Sequence, residues 1–172
     1  MNMLRLKEAN IEDSRKEWLF IRSIPENENG LTNPYHGISE EEFTENVLPA
    51  MIDRSKGIGV PEDRVPDTIL YLWDDDVIVG EFRIRHRLND ALRRRGGHIG
   101  YYISPEHRGK GYATKGLEMA LAIARDLISE EEILFTVSGD NQASVRVILK
   151  NGGHIISEEE GRVYLTIPKR VV

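Results

Sequence analysis

The chain has 172 residues, no cysteine, and 23 basic against 29 acidic residues, a net charge of −6 with histidine neutral. One domain of that length buries a full core without staples, and the missing cysteine removes disulfides, thiolate metal sites and cysteine nucleophiles. The acidic balance argues against general nucleic-acid binding, no apolar run reaches the roughly 20 residues of a membrane span, and the start Met1-Asn2-Met3-Leu4-Arg5 lacks the apolar core of a secretory signal, so a single cytoplasmic domain over residues 1–172 is expected, with no nucleic acid and no membrane as partner.

Met3 to Lys7 reads as a short strand with Leu4 and Leu6 on one face. A helix from about Ile11 to Ile24 follows and stops before Pro25. Pro25 to Gly37 is turn-rich. Ser39 then opens a second helix, with Glu42 three residues on completing a capping box, although Pro49 should kink or end it. After a loop from Ser55 to Pro66 the period becomes that of strands: Thr68 to Trp73 and Val77 to His86 flank an Asp74-Asp75-Asp76 turn. Arg87 to Gly97 is a connector, and His98 to Ile103 is a third strand ended by Pro105. A glycine-punctuated loop, Arg108 to Gly111, opens a helix to about Ile128 with Leu117, Leu121, Ala124 and Ile128 as its buried stripe. Ile133 to Val137 is a strand, and Asn141 to Lys150 a short helix closed by Gly152-Gly153. His154 to Ser157 and Arg162 to Ile167 form a closing hairpin across Gly161. The order describes one α/β domain with helices in front and a meander in the middle.

Chemistry concentrates in His107-Arg108-Gly109-Lys110-Gly111-Tyr112-Ala113. Small residues before a helix let the backbone approach a ligand, and the first amides of the helix point outward at the positive end of its dipole. Arg108 and Lys110 add charge, so the segment suits a phosphate or pyrophosphate. It is no P-loop, because Gly111 and Gly116 are followed by Leu117 where a lysine is needed. Nor is it the dinucleotide fingerprint, since Gly109 and Gly111 are followed by Thr114 rather than a third glycine.

Arg108, Gly111 and Ala113 fit the pattern Arg-x-x-Gly-x-Ala, which resembles the coenzyme A pyrophosphate loop of the GNAT N-acetyltransferase superfamily. The surroundings are similar too. Gly100-Tyr101-Tyr102-Ile103-Ser104-Pro105 stands where that family carries the strand that pairs with pantetheine, and Asp140-Asn141-Gln142-Ala143-Ser144 where it carries an Asn near the coenzyme. Arg85-His86-Arg87-Leu88-Asn89 and Gly96-Gly97-His98-Ile99-Gly100-Tyr101 resemble an uncharacterised bacterial branch of that superfamily.

The resemblance implies an α/β (α+β) fold with a mixed, mostly antiparallel central sheet flanked by helices, and a V-shaped splay between two central strands, here His98 to Ile103 and Ile133 to Val137. It implies acetyl-CoA as co-substrate without a metal, and direct attack of a primary amine of a small molecule or peptide on the thioester in a ternary complex. Coenzyme contacts then fall to Tyr102, Ile103, Arg108, Gly109, Lys110, Gly111, Tyr112, Ala113 and Asn141. A catalytic tyrosine is usual seven residues after the Asn, and here that position is Ile148. Ser144 is the candidate replacement proton donor, reading equally well as a helix residue facing the coenzyme, and Tyr101 and Tyr102 are alternative donors or packing residues of their strand. Glu81 is a candidate base or one half of an ion pair, and His98 a second candidate base or a structural strand histidine. From Arg83 to Arg95 six arginines face one acid, Asp90. They read as a solvated connector, with coenzyme phosphate, an acidic substrate or nucleic acid as the functional alternatives. The acceptor site is expected along Asn27 to Pro66, a homodimer is left open, and a coenzyme-binding sensor without turnover remains the alternative function.

Overall fold

The computed structural model describes residues 3–29 and 31–170; Met1, Asn2, Gly30, Val171 and Val172 lie outside them. Two antiparallel sheets stand edge to edge. The first has the order β1-β4-β5-β6 and the second β7-β9-β8, where β1 is Leu4–Glu8, β4 Asp67–Asp74, β5 Val77–Arg85, β6 Ile99–Ile103, β7 Glu132–Ser138, β8 His154–Glu159 and β9 Arg162–Pro168. A two-residue-per-strand hairpin, β2 (Asn27–Glu28) with β3 (Leu31–Thr32), occupies the expected front loop.

The helices divide between two faces. On one face lie α5 (Tyr112–Leu127) and α6 (Gln142–Lys150), whose apolar stripes meet Phe82, Ile84, Phe135, Val163 and Leu165 from both sheets in one core. Gly116 of α5 makes that approach close, because a Cβ there would come within 2.4 Å of the Phe82 ring. On the other face α1 (Ser14–Ser23) and the helix starting at Glu40 bury Trp18, Phe20, Phe43 and Met51 against Tyr71 and Trp73 of β4. Residues of β4 thus enter both cores, and Ile69, Leu70, Tyr71 and Leu72 are at most 2% exposed.

Pro49 does not end its helix. α2 (Glu40–Glu42), a π turn (Phe43–Val47) and α3 (Leu48–Ser55) run on continuously, with Leu48 N–H bonded to the carbonyl of Phe43. Proline has no N–H to offer, and the wider turn just before it absorbs the interruption. Ser39 caps this helix, accepting from the Glu42 amide at 3.1 Å. A further short helix, α4 (Asp90–Arg94), fills the expected connector, capped by Asn89 through the Leu92 amide.

A bulge in β5 alters the expected faces. The pairing jumps from Leu72–Gly80 to Trp73–Ile78, which leaves Val79 as the extra residue. Val79 therefore joins Phe82 and Ile84 in the core under α5, while Glu81, Arg83 and Arg85 share the opposite face.

Candidate active site

β6 and β7 meet at a single point. His98 N–H donates to the carbonyl of Leu134 at 2.8 Å, and Leu134 N–H donates to His98 Nδ1 at 2.8 Å. The imidazole completes the rung that a second backbone carbonyl would otherwise provide. Because Nδ1 accepts, Nε2 carries the proton and donates to the Glu130 carboxylate at 2.8 Å. Burial pushes the His98 ring down from its ordinary range, against the pull of Glu130. His98 has no exposure at all and both ring nitrogens are engaged. It stands at the vertex between the sheets, not in the cleft where a base would act.

From that vertex the strands diverge and no backbone bond joins β6 to β7 beyond it among the described residues. The split opens on the α5–α6 face into a cavity of about 510 Å³, lined among others by Tyr101, Ile103, Gly109, Gly111, Asn141 and Ser144. Ser104 N–H and the His98 carbonyl bond to β5, so by alternation Tyr101 and Ile103 turn their backbone groups toward the split.

The loop before α5 forms one end of this cavity. Gly109 and Gly111 have φ of +74° and +84°, and a Cβ at either would meet nothing within 4 Å, so the demand for glycine is conformational rather than steric. The amides of residues 109–114 have no acceptor among the described residues. Six consecutive free N–H groups, at the positive end of a 16-residue helix, make a strong anion seat. Gly109, Gly111, Tyr112 and Ala113 line the cavity, and the Tyr112 hydroxyl donates to Asp74. Lys110 is exposed and does not line it. Arg108 lines it but is held by the protein: its Nε donates to the Ile103 carbonyl at 2.9 Å, its Nη1 pairs with Glu28 at 2.8 Å, and it stacks 5.3 Å over the Tyr102 ring.

At the far side of the cavity the Tyr101 hydroxyl and Ser144 Oγ lie 2.8 Å apart. Asn141 positions this end of α6 by accepting the Ser144 amide at 3.3 Å. The Tyr101 ring stacks on Phe82 with centroids 5.4 Å apart, and burial pushes its hydroxyl up to about 12, opposed by the Ser144 contact. Ile148 is 1% exposed in the core, and the hydroxyls at this end of the cavity are those of Tyr101 and Ser144.

Glu81 is not part of that cavity. It lies across β5 from Tyr102 and lines a second one of about 50 Å³, between Leu31–Tyr35 and the face bearing Arg83 and Arg85. Burial pushes its carboxyl above the usual carboxylate range, against the pull of Arg83. Tyr101 lines both cavities and so separates Glu81 from the loop side. Of the segment Asn27 to Pro66 expected to surround the acceptor, Glu28, Asn29 and Leu31 to Tyr35 line these cavities. The expectation that the arginine segment is a solvated connector also fails in part. Arg83 and Arg85 turn inward to the groove, and the acid beside Arg83 is Asp67, not Asp74 to Asp76.

Comparison with known proteins agrees with this geometry. Residues 32–154 match the acetyltransferase (GNAT) domain. The chain belongs to the GNAT acetyltransferase family. Among solved structures, a GNAT-family acetyltransferase from Streptococcus pneumoniae superposes with a TM-score of 0.61 at 22% identity, over 95% of this chain and 97% of that one. A spermidine N-acetyltransferase chimera of Vibrio cholerae and hSSAT gives 0.63 at 18% identity, over 96% and 95%. A putative acetyltransferase from Salmonella typhimurium, solved with its cofactor acetyl-CoA, gives 0.64 at 16% identity, over 97% and 94%. At these identities the likeness is one of fold, and the two antiparallel sheets with the split between them, in place of the expected mixed sheet, are the arrangement shared with those structures. Among curated proteins the chain has no match. Among the described residues no helix is long and apolar enough to cross a membrane, and no group of three or more His, Asp or Glu side chains is placed to hold a metal.

Proposed function

We propose that this GNAT protein is an acetyl-CoA-dependent N-acetyltransferase that passes the acetyl group directly to a primary amine bound beside the coenzyme. One observation carries the reading: a run of amides at residues 109–114, unpaired among the described residues, edges a 510 Å³ cavity, lined by Gly109 and Gly111 to Thr114, that ends at a half-buried hydroxyl pair. A pyrophosphate satisfies those amides, with Gly109 and Gly111 giving it access and Arg108 exchanging Glu28 for a phosphate oxygen. Pantetheine runs along the free edge of β6 at Tyr101 and Ile103, past Asn141, and the thioester reaches Tyr101 and Ser144.

In the transfer the amine nitrogen forms a bond to the thioester carbon, the C–S bond breaks, and the nitrogen loses a proton. An unbonded backbone N–H on the free edge of β6 stabilises the negative charge that develops on the carbonyl oxygen. Glu81 takes the amine proton through water across the second cavity, and its raised pKa brings it toward the range in which a base is effective near neutrality. Tyr101 has the opposite property. A hydroxyl at about 12 is a far weaker acid than a thiol of about 8.5. The Tyr101–Ser144 pair therefore holds the departing sulfur by hydrogen bonding, and full proton transfer to it is left to solvent.

Calorimetric titration with acetyl-CoA, CoA and ATP in parallel tests the reading. Binding of both coenzyme forms but not ATP is expected, with Gly111→Asp abolishing it because a carboxylate is set against the anion seat. Wild-type affinity in that variant would refute the loop assignment. Ile148, at the position of the usual tyrosine, favours a second reading, a coenzyme sensor. Saturable acetyl-CoA binding with no CoA release over an amine panel would select it.

A further inference from the structure

The two faces of the split carry different electrostatics. The unpaired amides lie on the α5–α6 face. Phe135, Val137 and Val163 point to the core on that face, so by strand alternation Thr136, Ser138 and Arg162 face the other way, as do Glu81, Arg83 and Arg85. A third cavity of about 140 Å³ runs through the split, lined on that face by Arg85, Arg95 and Arg162 and toward α6 by Asn141, Ser144 and Ile148, with no acid among the described residues. It reaches Tyr101 and Ser144 from the side opposite the loop.

Among the described residues its arginines form no ion pair, and the acid that acts on Arg85 is Asp67 at longer range. Arg85 is half-buried, and its Nη1 donates only to the carbonyls of Gly96 and Gly97, both at 3.1 Å. Arg162 donates to the carbonyl and hydroxyl of Thr136 at 3.3 and 3.2 Å, while its Nε is buried without a partner. Among the described residues neither has a carboxylate in ion-pair range, and Asp67 is paired with Arg54 and Arg83. Burial and the neighbouring Arg83, against the pull of Asp67, push Arg85 down to about 10, so it is strained as a cation yet still charged at neutral pH. A chain with 29 acids has spare carboxylates, but none is used here. Buried charge is costly unless something pairs it.

We infer that the acceptor carries, besides its amine, an anionic group that Arg85 and Arg162 hold, with Arg95 at the rim. The anion is not the coenzyme's, whose seat is on the other face. The cavity has the volume of roughly five waters, so the group belongs to a small molecule and not to a nucleic acid. Two guanidinium forks suit a carboxylate or a phosphate alike. A polyamine, by contrast, would meet three positive charges, which separates this protein from the spermidine enzyme whose fold it shares.

This inference rests on the acetyltransferase reading, and the experiment separates the two. Acetyl-CoA affinity is measured first by calorimetry. CoA release is then followed with the α-amino acids, their uncharged amides, phosphoethanolamine and spermidine, and the N-acetyl amino acids are titrated into the CoA complex. We expect an amino acid or phosphoethanolamine to exceed the amides and spermidine at least tenfold in kcat/KM, and the more active of the two names the anion. Arg85→Gln or Arg162→Gln should raise KM for that acceptor about tenfold or more, with acetyl-CoA affinity unchanged, and Arg85→Lys should recover part of it. Arg95→Gln, at the exposed rim, gives a smaller increase without touching the buried bonds. Equal rates for acids and amides, a preference for spermidine, or an unmoved KM in the variants would overturn the inference. So would intact acetyl-CoA binding with neither turnover nor binding of any anionic probe. Failure of acetyl-CoA to bind would instead remove the reading beneath it.

Discussion

Replacing Gly97 by alanine should drive a wedge into the vertex of the split. Gly97 has φ +61°, and a Cβ there would lie 2.3 Å from the Leu134 carbonyl oxygen and 2.9 Å from its carbon. No Cβ sits so close to backbone, so either φ relaxes or β7 retreats from β6 beside the His98–Leu134 rung. Left-handed backbone costs alanine about 1–2 kcal/mol, and overpacking against an unyielding neighbour about 1–3 kcal/mol more. The expected loss is about 2–5 kcal/mol. For a domain of this size even the lower figure lowers Tm by at least about 4 °C. Gly109→Ala supplies the control, with a similar φ of +74° but nothing within 4 Å of its Cβ. Scanning calorimetry should show Gly97→Ala falling well below Gly109→Ala, and CoA release should fall with it because Tyr101 and Ser144 hang from the two sides of the vertex. A Gly97→Ala melting temperature equal to that of Gly109→Ala would refute the wedge.

Three further outcomes follow from the site and its surroundings. Tyr101→Phe and Ser144→Ala should each lower kcat about tenfold or more with little change in acetyl-CoA affinity, and the wild-type rate should show no loss below about pH 11, since Tyr101 stays protonated to about 12; an unchanged kcat in both makes the pair a packing contact. Glu81→Gln should remove the acid limb of the kcat/KM profile, a limb that lies above the ordinary 4.5 of a glutamate because burial raises that carboxyl; an identical profile in the variant rules out the base. Glu17, fully buried at the foot of α1 and holding only the Asn10 amide and side chain, is pushed by burial from 4.5 to about 8. Its folded form binds the proton more tightly than the unfolded chain, so its stabilising effect is whole below about pH 4.5 and is lost as pH rises to about 8, by at most about 5 kcal/mol. Glu17→Gln should flatten that slope in denaturant titrations between pH 5 and 8, and parallel slopes would refute it.

The parts of this fold that announce themselves in sequence are those set by local chemistry. Ser39 with Glu42 marks a helix start because one side chain caps one amide, and the stripe Leu117, Leu121, Ala124 marks a buried helix face through its spacing alone. The glycines at 109 and 111 likewise signal an open loop. What stayed hidden depends on partners far along the chain. Nothing near Val79 signals the bulge, which sends Val79 to the core under α5 while Glu81 and Arg83 keep the shared face that alternation gives them. α4 carries no apolar stripe, only Asn89 as a cap, so Asp90–Arg94 resembles a charged loop. His98 reads as a candidate base until Leu134 and Glu130, more than thirty residues away, are seen to occupy both nitrogens. The third cavity needs Arg85 and Arg162 brought together from two sheets, which no window of sequence contains.

β4 has a core on each of its faces, and that sets how the molecule opens. Its amides should exchange with solvent only when the whole domain unfolds, since local opening would uncover both cores at once. The hairpin of β2 and β3, two short strands resting on the groove, has no such anchor and should exchange from small, frequent openings. A ligand in the groove should therefore reveal itself as slowed exchange confined to residues around Leu31 to Tyr35, with β4 already at its ceiling and silent.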